Sequence, residues 1–266
     1  MSPKEAEVAY VANLSAVLGV PLEEVEAGLL GKPYNDQMVA HYLLDLAQVL
    51  NLLPPRPARI LDLGAGPGWT SEFLARCGYT VVGTDIAPDM VELARRRIEP
   101  GLDLRFEVAD YEQVLDLGQF DVVLLYDALH HAIDEAAVIR SAHGALRPGG
   151  SLITVEPGAG HSEAPETLDV IEKFGTTEKD MPFEHQAELM TAAGFPHIRR
   201  YIRLNQLVLE DIADPDGSAH QEGRLQDVLL AMRAGHASIV VAVRAAAEAT
   251  VEPKRRSSLL RRAFGR

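Results

Sequence analysis

The sequence is poor in cysteine and in basic residues, and it has no long apolar run. Cys77 is the only cysteine among 266 residues, so the chain forms no intrachain disulfide and no multi-cysteine zinc site, which fits a reducing, cytoplasmic location. Lysine and arginine total 25 against 39 acidic residues, and this balance disfavours a nucleic-acid binder. No uncharged segment approaches the ~20 apolar residues of a membrane span, and the N-terminus lacks the pattern of a signal peptide. A small-molecule partner is therefore expected.

Residue spacing divides the chain into three regions. Residues 1–53 are predicted to form a helical cap or lid, residues 54–250 the main domain, and residues 251–266 a tail rich in lysine and arginine. The tail would either touch an anionic surface or partner, or remain a solvated terminus. Apolar spacing places two stripes on the first and third helices of the cap: Val8, Val11, Leu18; and Val39, Leu43, Leu46, Leu50.

From residue 58 onward, short apolar strands alternate with helical patterns. Strands are predicted at 59–63, 80–84, 104–109, 120–126 and 151–156, with helices at 70–77, 88–98 and 132–146 between them. This alternation indicates a parallel sheet with crossover helices. Residues 122–125 are apolar on both faces, as in a central strand, whereas residues 104–108 alternate, as near an edge. Further helices are expected at 164–174 and 184–193, strands at 197–204 and 239–243, and a helical insertion at about 206–235.

The most informative segment is a glycine-rich loop that follows the first strand directly. Gly64, Gly66 and Gly68 lie between that strand and a helix, where glycines allow close approach of a ligand and the helix start offers free N–H groups. Asp85 ends the next strand, where a carboxylate can accept both hydroxyls of a ribose. A dinucleotide fingerprint would need glycine at Trp69, and the acid at Asp62 suits a ligand with an ammonium group.

The chain resembles the class I, Rossmann-like S-adenosylmethionine-dependent methyltransferases. Five ordered blocks carry the resemblance: residues 61–68 (LDLGAGPG), 83–90 (GTDIAPDM), 108–110 (VAD), 120–131 (FDVVLLYDALHH) and 146–150 (LRPGG). The resemblance implies an α/β fold with a doubly wound seven-stranded sheet, mostly parallel with the last strand antiparallel. It also implies S-adenosyl-L-methionine as cofactor and S-adenosyl-L-homocysteine as product.

The resemblance also implies roles for individual residues at the cofactor site. The loop from Gly64 to Gly68 would pack against the methionine part, with Asp62 near its ammonium. Asp85 would hold the ribose, and Asp110 would accept from the adenine amino group. The remaining cofactor-binding candidates are the loop neighbours Ala65 and Trp69, the adenine contacts Ile86 and Tyr111, Tyr126 at the methionine end and Tyr34 as a lid residue. Three of these residues have a structural alternative: Asp85 can cap a helix, Asp110 can be a turn residue, and Tyr34 can serve packing alone.

Methyl transfer to a small molecule is the expected reaction, with an oxygen acceptor favoured because bases are available. His131, Glu156 and His161 are the candidates to remove the proton of the acceptor. The alternative is that they are ordinary polar residues of a loop. A metal is not expected, since Glu156 and His161 show no fixed ligand spacing with the acids and imidazole at 178, 180, 184 and 185. Three rivals remain open: a non-catalytic scaffold, a nitrogen or carbon acceptor, and a nicotinamide oxidoreductase.

Overall fold

The computed structural model of the protein describes residues 2–203 and 238–247. The strands are β1 Arg59–Leu63, β2 Thr80–Asp85, β3 Leu104–Val108, β4 Phe120–Tyr126, β5 Leu146–Glu156, β6 His197–Ile202 and β7 Ser238–Val243. The helices are α1 Pro3–Val8, α2 Tyr10–Leu18, α3 Leu22–Gly31, α4 Val39–Leu52, α5 Trp69–Arg76, α6 Pro88–Arg95, α7 Glu135–Ala145, α8 Pro165–Phe174 and α9 Phe183–Ala192. A single 3₁₀ turn, Leu129–His131, follows β4 within this part of the chain.

The seven described strands form one sheet in the order β3-β2-β1-β4-β5-β7-β6. β1 to β5 pair in parallel, and β7 runs antiparallel to both β5 and β6. Both sequence predictions about strand position are confirmed: β4 is buried along its whole length at the centre, and β3 lies at an edge. The chain order reverses between β1 and β4, which is where open α/β sheets bind ligands.

Two hydrophobic cores lie on opposite faces of this sheet because neighbouring strand residues point to opposite sides. One core joins Ile60 and the other alternate strand residues to α4, α5 and α6. The other joins Leu61 and its counterparts to α7 and α9. The sheet is thus covered by helices on both sides, and its strand ends are left to form a site.

The cap helices bury different residues from those that apolar spacing predicts. Val8 and Leu18 are exposed, so of the first stripe only Val11 lies in the core. In α4, Leu43 is exposed and the buried face is Asp45, Leu46 and Val49. Of the second stripe, Leu46 is buried and Leu50 packs on the core, whereas Asp45 is buried through a polar contact that apolar spacing cannot reveal.

A third, smaller core attaches the cap to the main domain. Val11 of α2 and Val25 of α3 pack against Met90 and Leu93 of α6, next to the end of β2. The predicted insertion at about 206–235 and the tail at 251–266 lie outside the described residues. Among those that are described, no helix is long and apolar enough to cross a membrane.

Candidate active site

An open cavity of about 250 Å³ lies at the carboxyl ends of β1, β2 and β4. Its wall contains residues from the glycine loop, from the strand ends and from the cap. They are Glu7, Tyr10, Gly64, Gly66, Asp85, Ile86, Met90, Tyr111, Asp127, Ala128, His131, Val170, Thr176 and Glu178. Four of these residues are carboxylates, and an anionic lining suits a cationic ligand.

The glycines of the loop divide into those that face the cavity and one that serves packing. Gly66 has φ 52°, and a Cβ added there would meet nothing within 4 Å, so its surface is free for a ligand. Gly68 has φ 79°, and a Cβ there would meet Phe106 at 2.6 Å and Ala94 at 2.8 Å. Gly64 and Gly66 therefore line the cavity, while Gly68 lets α5 begin close to β3.

Asp85 is held in place by backbone donors on both carboxylate oxygens. Gly66 N donates to Oδ2 and Ala87 N donates to Oδ1, each at 2.9 Å. Burial raises the pKa of Asp85, and these two hydrogen bonds oppose the rise. Each oxygen keeps a second lone pair that can face the cavity, so the carboxylate is positioned as the sequence predicts for a sugar contact.

Asp62 lies beneath the loop and outside the cavity lining. Its Oδ2 accepts hydrogen bonds from the hydroxyls of Thr70 at 2.7 Å and Ser71 at 2.6 Å. The side chain is 1% exposed, and burial raises its pKa to about 6. The contacts that the structure gives Asp62 thus join the first strand to the start of α5.

The raised pKa of Asp62 should make stability depend on pH. Because the folded state binds the proton more tightly than the unfolded state, the contribution of Asp62 is fully present below about pH 4 and is lost as pH rises through about 6. We expect wild type to lose on the order of 3 kcal/mol relative to Asp62→Asn across that window. Denaturant unfolding at a series of pH values measures it, with exposed Asp89→Asn as control. If the free energy of unfolding changes with pH in the same way for wild type and Asp62→Asn, the raised pKa of Asp62 is contradicted.

The predicted adenine side of the cavity is closed by a salt bridge from the cap. Ile86 and Tyr111 line it as expected, and the hydroxyl of Tyr111 donates to Ala128 O at 3.1 Å. Asp110 lies in the adjoining recess, where Lys4 Nζ of α1 reaches its Oδ2 at 2.7 Å and Glu112 Oε2 at 2.9 Å. A ligand amino group at Asp110 would therefore share that carboxylate with Lys4.

An aromatic cluster with tilted and edge-to-face contacts contains Trp69 and Tyr126, two of the predicted cofactor contacts. Trp69 packs between Tyr42 and Tyr126, with ring centroids 5.3 and 5.5 Å away. The hydroxyl of Tyr126 donates to Asp45 Oδ2 at 2.9 Å, and Arg203 pairs with the same carboxylate. Tyr126 and Trp69 are buried beside the site rather than in the cavity lining.

Tyr34, the predicted lid residue, lies outside the cavity lining. It is 79% exposed and is absent from the lining that the described residues form, so a lid role for Tyr34 stays a prediction. From the N-terminal helices, Glu7 of α1 and Tyr10 at the start of α2 line the cavity. Ala65, also predicted, is buried and donates its N–H to Thr84 O at 2.8 Å.

His131 lines the cavity but carries a proton at neutral pH. Its Nδ1 lies 2.8 Å from Thr177 O, 3.4 Å from Glu7 Oε1 and 3.6 Å from Glu178 Oε1. Burial alone lowers its pKa, yet Glu7 and Glu178 outweigh that effect and raise the pKa to about 9. The predicted base is therefore an imidazolium, which is a donor rather than an acceptor of protons.

Glu156 and His161, the other two predicted bases, are engaged with protein groups. Glu156 is fully buried and accepts from the N–H groups of Ala128 and Leu129, at 3.1 and 2.8 Å, and from His130 Nδ1 at 2.8 Å. Glu156 thus caps the 3₁₀ turn from the interior, and its role as a base stays a prediction. His161 lies beside the lining, with Nε2 3.1 Å from Glu178 Oε2.

Asp127 is a site residue that sequence analysis missed. It directly follows β4, lines the cavity and has φ 53°, the one positive φ of a non-glycine residue in the described chain. Its N–H donates to Val155 O at 2.8 Å, which fixes the turn. Backbone strain of this kind collects at functional sites, and the signal available in the sequence was an acid directly after the central strand.

Residues 60–150 match the methyltransferase-domain family, and this range contains the glycine loop, Asp85 and Asp127. The matched region carries a methyltransferase domain, and over it the chain is similar to S-adenosylmethionine-dependent methyltransferases. Ubiquinone biosynthesis O-methyltransferase of Xanthomonas axonopodis pv. citri is 39% identical over 103 residues, 38% of this chain and 43% of that protein. The chain thus matches less than half the length of these curated relatives.

Two solved members of the family share the fold. Phosphoethanolamine N-methyltransferase 2 of Haemonchus contortus, solved with S-adenosylmethionine, has a TM-score of 0.56 at 19% identity over 82% of this chain and 59% of that one. An S-adenosylmethionine-dependent methyltransferase of Mesorhizobium loti has 0.56 at 20% identity, over 76% and 98%. At such identities the likeness concerns the fold.

Proposed function

We propose that this chain transfers a methyl group from S-adenosylmethionine to an oxygen atom of a small molecule. One observation carries the proposal: Asp85 and the open surface of Gly66 face the same cavity as the polar groups of the cap and of Asp127. The space above Gly66, which a Cβ would enter, fits a ligand lying on the loop. The name of the curated relatives, O-methyltransferases, supports oxygen as the acceptor atom.

The residues of the chain divide the cavity into two ends. Asp85 accepts from a ribose, and Ile86 and Tyr111 flank the base. The loop at Gly64 and Gly66 cradles the methionine part. When bound, the cofactor supplies an activated methyl on a sulfonium, and the protein must orient the acceptor, exclude water and take up a proton.

Other polar groups of the lining supply acceptor contacts and a proton acceptor. Tyr10 and Thr176 offer hydroxyls, and the His131 imidazolium can donate to an acceptor oxygen. Asp127 is the exposed carboxylate there, and we assign it the role of removing the proton of a hydroxyl. Glu7 closes the cavity from the cap and excludes water.

Transfer of labelled methyl from S-adenosylmethionine to a panel of phenols, catechols and carboxylic acids, with amines alongside, tests the proposal. The proposal expects a labelled ether or ester identified by mass spectrometry. Labelled nitrogen or carbon would overturn the oxygen assignment alone. Binding of S-adenosylhomocysteine without transfer to any member of the panel would favour a non-catalytic scaffold.

Because Asp127 has a positive φ, its chemical role and its structural role can be tested separately by substitution. Because left-handed backbone costs a non-glycine residue about 1 kcal/mol, Asp127→Gly should raise the free energy of unfolding by about 0.5–1 kcal/mol and lower methyl transfer at least tenfold. Asp127→Asn keeps the shape of the side chain and should lower transfer with unchanged stability. Denaturant unfolding and turnover with the acceptor from the panel measure both. Full turnover in Asp127→Asn would remove Asp127 as proton acceptor.

A further inference from the structure

Three side chains converge on one wall of the cavity and form an imidazole–carboxylate cluster. Its members are His130, His131 and Glu178, and one nitrogen or oxygen from each lies within 4.8 Å of the other two. Glu178 and His131 line the cavity, whereas His130 is buried behind them, its side chain 4% exposed. The cluster therefore joins the protein interior to the space where the acceptor would lie.

The separations within the cluster match those between two ligands of one ion. His130 Nε2 lies 3.4 Å from Glu178 Oε2, beyond the 2.7–3.2 Å of ordinary N–H···O hydrogen bonds. Ligand atoms about 2.1 Å from a tetrahedral ion stand about 3.4 Å apart, so a cation fits between these two groups. His131 Nδ1 lies 3.6 Å from Glu178 Oε1 and donates to Thr177 O at 2.8 Å, so His131 would exchange that hydrogen bond for the ion.

A buried carboxylate orients His130 as ligand histidines are oriented. Glu156 Oε2 lies 2.8 Å from His130 Nδ1, and Glu156 is an acceptor there because its other oxygen already accepts two backbone N–H groups. Nδ1 can therefore donate to Glu156, and Nε2, 3.4 Å from Glu178 Oε2, is the nitrogen left to bind an ion. Metal-ligating histidines almost always donate their second nitrogen to such a partner.

Glu7 adds a second carboxylate beside the cluster. Its Oε1 is buried and accepts no hydrogen bond from the described residues, and its charged partner is the His131 imidazole, with Nδ1 3.4 Å away. A divalent cation at the cluster would be attracted by Glu7 and Glu178 together.

We propose that His130, His131 and Glu178 bind a divalent first-row transition-metal ion of the Zn²⁺ or Fe²⁺ class. Imidazole nitrogens and a carboxylate oxygen are the ligands that such ions prefer over Mg²⁺ or Ca²⁺. With three protein ligands the ion would keep an open coordination position. If the proposed function holds, an acceptor hydroxyl occupies that position and loses its proton more readily.

Titration of the full-length chain, stripped with EDTA, with Co²⁺ and Zn²⁺ at pH 8 tests the proposal. Co²⁺ should give visible d–d absorption bands that saturate at one equivalent, and Zn²⁺ should compete for the same site. Glu178→Gln and His130→Asn should weaken Co²⁺ binding at least tenfold. Exposed Glu184→Gln and His197→Asn are the matched controls and should bind as wild type does.

The same samples separate this proposal from the proposed function. Binding of S-adenosylhomocysteine and far-UV circular dichroism are measured beside the metal titration. A chain that binds the nucleoside but gives no Co²⁺ bands, or a folded Glu178→Gln that binds Co²⁺ like wild type, overturns the metal site alone. Co²⁺ binding without nucleoside binding would instead support the metal site and contradict the cofactor assignment.

Discussion

Replacing Asp85 by alanine is expected to weaken binding of S-adenosylhomocysteine about 100-fold, which corresponds to about 2.7 kcal/mol. The reason is that both oxygens of this carboxylate are fixed by backbone donors of Gly66 and Ala87, so it meets a ribose already oriented. Hydrogen bonds to a charged group contribute about 1.5–3 kcal/mol each. Calorimetric titration measures the loss.

Two further variants control that experiment. Asp89→Ala removes an exposed carboxylate four residues away and should leave affinity unchanged. Asp85→Asn keeps the shape and one acceptor oxygen, so its affinity should fall between those of wild type and Asp85→Ala. Equal affinity of Asp85→Ala and wild type, with both folded by circular dichroism, would show that the ribose lies elsewhere.

Replacing Glu156 by alanine is expected to cost about 3–5 kcal/mol of unfolding free energy, the range for breaking a buried charged network. The change leaves the N–H groups of Ala128 and Leu129 and the Nδ1 of His130 without their acceptor inside the protein. Glu156→Gln keeps one carbonyl acceptor and should cost less than half as much. Denaturant unfolding of both variants provides the measurement.

The matched control for Glu156 is Glu163→Ala, an exposed position on the same connection after β5. It should change the free energy of unfolding by no more than about 0.5 kcal/mol. If Glu156→Ala is as stable as Glu163→Ala, the carboxylate is not the cap of the 3₁₀ turn, and a catalytic role for Glu156 would have to be reconsidered.

The sheet was predictable because each strand has a local sequence pattern that indicates its position. The apolar run at 122–125 requires burial on both faces, and the alternation at 104–108 requires an edge; the structure places β4 and β3 accordingly. The cap was less predictable. Asp45 is buried in α4 through contacts with Tyr126 and Arg203, which lie 81 and 158 residues away in the sequence. The spacing of apolar residues cannot predict such distant partners.

At the site, too, residues that are close in sequence could be predicted, whereas a residue brought in from a distant segment could not. Gly64, Gly66 and Asp85 lie on one continuous strand–loop–helix–strand unit, β1 to β2, so their spacing was sufficient to place them at the cavity. Glu7 reaches the cavity only because α2 and α3 pack on α6, and no sequence signal connects it to His131. Its effect is large, since the charge of Glu7 helps to turn His131 from an expected base into an imidazolium.

The central claim is that the cavity above Gly66 and Asp85 binds the nucleoside of S-adenosylmethionine. Calorimetric titration of the full-length wild-type chain with S-adenosylhomocysteine, with NAD as the control ligand, tests it most directly. We expect saturable one-to-one binding of S-adenosylhomocysteine and no heat with NAD. The claim would be contradicted if the chain bound NAD, or if a folded chain bound neither NAD nor S-adenosylhomocysteine.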